Sequence, residues 1–167
     1  MILFSPHQFN TNMKNILAYL LPVILLAACG RADNRNDAAS LPRTFNFEKL
    51  QLKTISTVIN PAKGTTSTLY GNANALLALR MPDSARAGEK TLVLVTWKQQ
   101  EDARWFGARI PAGLEMIEVV KTGTAFKDPA QAQYQRYNEK GTAVSATNDE
   151  QQQRIGFITS IKPAVMP

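Results

Sequence analysis

Two arginines flank an aromatic pair in Glu101-Asp102-Ala103-Arg104-Trp105-Phe106-Gly107-Ala108-Arg109-Ile110-Pro111, the most individual stretch of this 167-residue chain. An indole face and guanidinium groups on one loop suit a ligand that stacks and carries negative charge. Arg104, Trp105 and Arg109 are therefore candidate binding residues. The competing expectation, and the one adopted, is a lid whose Trp105 and Phe106 plug the core while the charges face water. Tyr70 and Asn72 form a second candidate, lining a pocket where a strand gives way to a helix. An asparagine at such a junction more often only caps the helix. Glu118 interrupts the apolar run Ile117–Val120. A buried carboxyl there is a site candidate, but an outward-facing side chain on a half-exposed strand is the expectation. Trp97 closes an apolar run and is expected in the core.

The only cysteine, Cys29, ends the apolar run Leu20-Leu21-Pro22-Val23-Ile24-Leu25-Leu26-Ala27-Ala28, which Lys14 precedes. A membrane span needs roughly 20 consecutive apolar residues, and Asn15 and Pro22 leave less than that. The layout is that of a secretory leader, and Leu-Ala-Ala-Cys resembles the bacterial lipoprotein box. That resemblance implies cleavage before Cys29 and acylation of its thiol, open to palmitate labelling. Residues 1–28 are then a signal peptide, with Met13 as the expected start. Residues 29–42 are a lipidated N-terminus and flexible tether, small and polar from Gly30 on. Residues 43–167 are one domain of ordinary size. Gly30, in place of an aspartate after the cysteine, implies outer-membrane anchoring facing the periplasm.

This leader removes chemistry as well as setting location. The single histidine, His7, lies within it, and acylation consumes the single thiol. Disulfides, Cys/His metal sites, histidine bases and haem attachment through Cys-x-x-Cys-His are excluded from the mature chain. Losing Lys14 lowers the formal charge from +6 to +5. The basic residues are dispersed among acids, so no nucleic-acid footprint is expected. Glu101/Asp102 and Asp149/Glu150 are carboxylate pairs in polar segments and read as surface. Met81, Met116 and Met166 lack a copper-type spacing, and no phosphate loop or dinucleotide fingerprint is present.

The elements that must position these residues read mainly as strands. Leu50–Val58 and Thr65–Tyr70 flank the turn signal Asn60-Pro61-Ala62-Lys63-Gly64. Asn72 caps an expected helix over Ala73–Arg80. Lys90–Lys98 is nearly continuous in apolar residues, as in a strand covered on both faces. A charged loop, Gln99–Arg104, follows it. Met116–Lys121 and Tyr134–Tyr137 read as further strands, with a turn or short helix over Asp128–Gln133. Ile155–Ile161 reads as the last strand. The expected class is α+β, mainly β: an antiparallel sheet with one or two short helices.

Three segments carry a second resemblance. Leu69–Ala75 is similar to the strand-Gly-Asn-helix junction of the cytochrome P-460 and cytochrome c′-beta family. Gly88–Trp97 is similar to that family's strand after a Pro/Gly loop. Ile117-Glu118-Val119-Val120-Lys121 with Tyr134-Gln135-Arg136-Tyr137 is similar to its paired later strands. The resemblance implies a cytochrome P-460-like fold and, in the family, a homodimer and a haem held through Cys-x-x-Cys-His. Here the corresponding stretch is Thr147–Arg154, without cysteine or histidine. No cofactor is expected, and fold without function is the expectation carried forward. The leading expectation is an envelope lipoprotein that binds a small ligand or an envelope protein. The alternative is an enzyme or haem- or gas-binding protein with a noncovalent site near Tyr70, Lys98 or Arg109. Catalysis is the weaker of the two.

Overall fold

The computed structural model describes residues 36–45, 47, 49–81, 88–123 and 129–164. Cys29 and its leader, and Met166, lie outside them. Six strands run in chain order across one sheet, β1 (Lys53–Asn60), β2 (Thr65–Gly71), β3 (Lys90–Glu101), β4 (Arg109–Thr122), β5 (Gln133–Asn138) and β6 (Ala143–Val144). Every neighbouring pair is antiparallel. Two helices complete the fold, α1 (Ala73–Arg80) and α2 (Asn148–Ser160). The class is α+β and mainly β, as the alternating patterns and turn signals predict. No helix among the described residues is long and apolar enough to cross a membrane.

β3 holds the centre because both its faces are apolar. Leu92 and Leu94 face α1 and α2 and cluster with Ile55, Leu69, Ala75, Ala78, Val120, Ile155, Ile158 and Ile161. Val93 and Val95 face the other way and cluster with Leu114 and Ile117. That second face is covered by the segment before β1, through Leu41, Phe45, Phe47 and Leu52. Phe45 stands edge-on to Tyr137 with ring centroids 5.0 Å apart. The Trp97 indole nitrogen donates to the Ala39 carbonyl at 2.8 Å. Trp97 is thus half-buried on this face, packed as expected but not sealed.

Five expectations need correction. Residues 36–42 do not belong to a tether. Asp37–Ala39 forms a turn of 3-10 helix, and the Asn36 side chain donates to the carbonyls of Pro111 and Ala112 at 2.8 and 3.1 Å. The expected strand Ile155–Ile161 is α2 and its C-cap, Ile161. Thr147 and Glu150 form a reciprocal capping box that starts the helix, and Ile155 and Ile158 lie three residues apart on its buried side. The β-branched composition had suggested a strand, but burial of one helical stripe outweighs that preference. The expected loop Gln99–Arg104 is partly strand, since β3 continues to Glu101. The other two corrections, at Glu118 and at Trp105 with Phe106, belong to the site.

The strand-to-helix junction is tight. A Cβ on Gly71 would lie 2.6 Å from Ile55 Cδ1 and 3.0 Å from Leu92 Cδ2, so any side chain there would have to push these two core residues aside.

Candidate functional site

On the helix-covered face of the sheet, polar side chains in two neighbouring rows interrupt the apolar pattern. Glu118 pairs in register with Leu94 on one side and Arg136 on the other. The next row holds Ser67, Thr96 and Met116. Between Thr96 and Trp97 the register slips, so that Met116 and Leu114 are partnered and Glu115 is the extra residue of a β-bulge. A bulge re-aims its side chain. Here Glu115 turns into the same cleft as Glu118.

Glu118 is fully buried, which corrects the outward-facing expectation. Arg154 on α2 donates from Nε to Glu118 Oε1 at 2.7 Å and from Nη2 to Oε2 at 2.5 Å. The Tyr134 hydroxyl donates to Oε1 at 2.5 Å. Three donors on two oxygens are what a buried carboxylate requires, and the two-pronged arginine contact is the strongest form available. The hydrogen bond to Glu118 holds the Arg154 guanidinium above its already high range, against the opposing effect of burial. Burial, and then Glu118, pushes the Tyr134 hydroxyl up. Arg154 also lies over the Phe157 ring, 4.9 Å from its centroid.

Glu118, Arg154 and Phe157 line a cleft of about 220 Å³ together with Val58, Lys63, Ser67, Thr96, Glu115, Met116 and Arg136. Ser67 Oγ and Thr96 Oγ1 are 2.8 Å apart, one hydroxyl donating to the other. Arg136 is steadied by a 2.9 Å bond from Nη2 to the Ser145 carbonyl. Glu115 Oε2 is different. It is buried and has no hydrogen-bond partner among the described residues. A carboxylate oxygen shut away from water without a donor is costly, and a ligand N–H would satisfy it. Among the described residues no group of three or more acidic, histidine or cysteine side chains could hold a metal ion.

The sequence-derived binding candidates all lie outside this cleft. Tyr70 sits on the opposite face, 4.9 Å from the Phe47 ring, and burial raises its hydroxyl. Asn72 caps α1, its Oδ1 accepting from the Ala75 amide at 2.9 Å and its Nδ2 donating to the Glu89 carbonyl at 3.0 Å. A shallow depression beside it, lined by Leu50, Leu52, Lys53 and Asn74, is open to solvent. Arg104, Trp105 and Arg109 are on the tip of the β3–β4 hairpin. Trp105 is 71% exposed and Phe106 fully exposed, so neither plugs the core. They are far from core duty because β3 and β4 run past their neighbours there. Pairing with β2 ends at Lys98 and pairing with β5 ends at Met116.

Glu115 and Arg154 are the cleft residues that sequence reasoning passed over, as it did Tyr134, the second partner of Glu118. Glu118 had a readable signal, a charge inside an apolar run. Arg154 had one too, standing just beyond the Thr-x-x-Glu signature at Thr147.

The cleft does not fit a haem. Thr147–Arg154, the stretch likened above to Cys-x-x-Cys-His, forms the cap and first half of α2. The space between the helices and β3 is packed by Leu92, Leu94, Val120, Ile155 and Ile158. At about 220 Å³ this cleft is smaller than the roughly 300–1,000 Å³ of pockets that enclose drug-sized ligands. No known family model matches the chain, and no curated protein matches it.

Proposed function

We propose that the protein is an envelope lipoprotein, anchored through Cys29, whose cytochrome P-460-like domain binds a small polar ligand and does no redox chemistry. The single observation that carries the binding reading is Glu115: a bulged residue with a buried, unpartnered oxygen, turned into a cleft beside the locked Glu118–Arg154–Tyr134 set. The chemistry of the lining names the ligand class. Glu115 calls for an ammonium or amide N–H. Lys63 and Arg136 on the same cleft call for an anionic group. Val58, Met116 and Phe157 supply apolar wall between them. A short zwitterion satisfies all three demands.

The test uses the purified mature chain, observed by amide NMR while glycine, taurine, short amino acids, simple amines and simple carboxylates are titrated in turn. Zwitterions are expected to shift the resonances of Thr96 and Met116, and either half alone to act more weakly. Removing the charged acceptor with Glu115→Gln should lower affinity by about ten- to a hundredfold, the value of one hydrogen bond to a charged group. Equal binding to the Glu115→Gln chain, or no shift from any class, would sink the cleft reading. A stoichiometric Soret band after expression with haem supply would overturn the non-redox reading.

A further inference from the structure

The β3–β4 hairpin ends in two neighbouring aromatic side chains that contact no core. Exposed Trp and Phe on an otherwise well-packed domain call for a covering partner. The tip that carries them is built, not loose. The Asp102 amide donates to the Ala108 carbonyl at 2.9 Å, and the Ala108 amide donates to the Trp105 carbonyl at 3.0 Å. Asp102 Oδ1 accepts from the Arg104 amide at 2.8 Å. Gly107 takes φ +76°, a left-handed turn position that favours glycine. Ile110, 36% exposed, extends the apolar edge along β4.

The start of the domain lies at the base of this same hairpin. Asn36 is bonded to Pro111 and Ala112, and Phe106 is five residues further along the hairpin, at most about 17 Å at the rise of a strand. Cys29 precedes Asn36 by seven residues, a chain length that spans at most about 25 Å. A lipid on Cys29 therefore holds the hairpin within reach of the membrane that contains the lipid. Glu101 and Asp102 balance Arg104 and Arg109, so attraction to anionic headgroups is not the driving term. Aromatic side chains with a polar or π-rich edge favour the bilayer interface on their own account.

We infer that Trp105 and Phe106 dip into the membrane interface as a second contact beside the acyl anchor, fixing which side of the domain faces the lipid. This rests on the lipoprotein reading, and one preparation tests both. Full-length protein is expressed with labelled palmitate, purified and reconstituted in phosphatidylethanolamine/phosphatidylglycerol vesicles, with or without brominated acyl chains. Trp97 and Trp105 are the only tryptophans, so the Trp105→Phe chain isolates Trp97. Bromolipid is expected to quench the wild type strongly and the Trp105→Phe chain little. Unacylated Cys29→Ala chain should still partition weakly onto the vesicles, and Trp105→Ser/Phe106→Ser should reduce that by about tenfold or more. Palmitate incorporation without Trp105 quenching overturns the hairpin contact and leaves the anchor standing. Absence of palmitate from Cys29 removes the anchor, and the inference with it. A tryptophan blue shift that follows protein concentration without lipid would assign the tip to a protein partner and overturn the proposal.

Discussion

Glu118 has exchanged water for Arg154 and Tyr134, and the exchange sets a pH signature. Burial and the neighbouring carboxylate hold the Tyr134 proton more tightly in the folded chain than in the unfolded one, where the hydroxyl titrates near 10.0. The stability this contributes is full below pH 10 and is lost as pH rises from there toward the folded value. Tyr134→Phe removes both the bond and the titration. At about pH 8 that variant is expected to be less stable by about 1.5–3 kcal/mol, the range for a hydrogen bond to a charged group. Denaturant titrations from about pH 8 to about pH 11.5 should show the gap to wild type narrowing above pH 10. A gap that stays constant over that range would contradict the role given to Tyr134. None of this was readable from the local sequence, because Arg154 reaches Glu118 across 36 positions of the chain. What the sequence around Glu118 does contain is an unpaired charge among apolar neighbours, which poses the question of a partner without naming it.

At the scale of elements, legibility followed how local the cause was. α1 was readable to its ends because Asn72 and the Ala/Leu run act within a few residues. β3 was readable because burial on both faces leaves an unbroken apolar run. The bulge at Glu115 was not, since it arises from a mismatch of residue count between two paired strands. α2 lay between these cases. Thr147-x-x-Glu150 is a local start signal, and the three-residue spacing of Ile155 and Ile158 is helical, but the isoleucines themselves favour strands. The cap should therefore matter. Thr147 Oγ1 accepts from the Glu150 amide at 3.3 Å and Glu150 Oε2 accepts from the Thr147 amide at 3.0 Å. Thr147→Ala is expected to cost about 1 kcal/mol in urea denaturation. An unchanged midpoint would mean that packing of Ile155 and Ile158 alone sets the helix.

Across the whole molecule, the sheet has two covers of different kinds. Two helices close one face, and a segment without regular strands, from Asn36 to Leu52, closes the other through its aromatic residues. Composition placed part of that segment in the tether, because small polar residues near Asn36 look unable to pack. Their role is instead to hydrogen-bond an edge, as Asn36 does at Pro111 and Ala112. If Cys29 is lipidated as proposed, the seven residues from Cys29 to Asn36 have a physical consequence for membrane seating. A contact held by a flexible connection forms at an effective concentration that falls with roughly the −3/2 power of length. Inserting fifteen Gly/Ser residues between Arg35 and Asn36 lengthens the seven-residue connection about threefold and should lower hairpin contact by about five- to sixfold. The insertion leaves the core untouched, so the denaturation midpoint should match wild type while bromolipid quenching of Trp105 declines. If quenching is instead independent of tether length, the hairpin holds the membrane by its own affinity, and the distance between anchor and domain plays no part in orienting the protein.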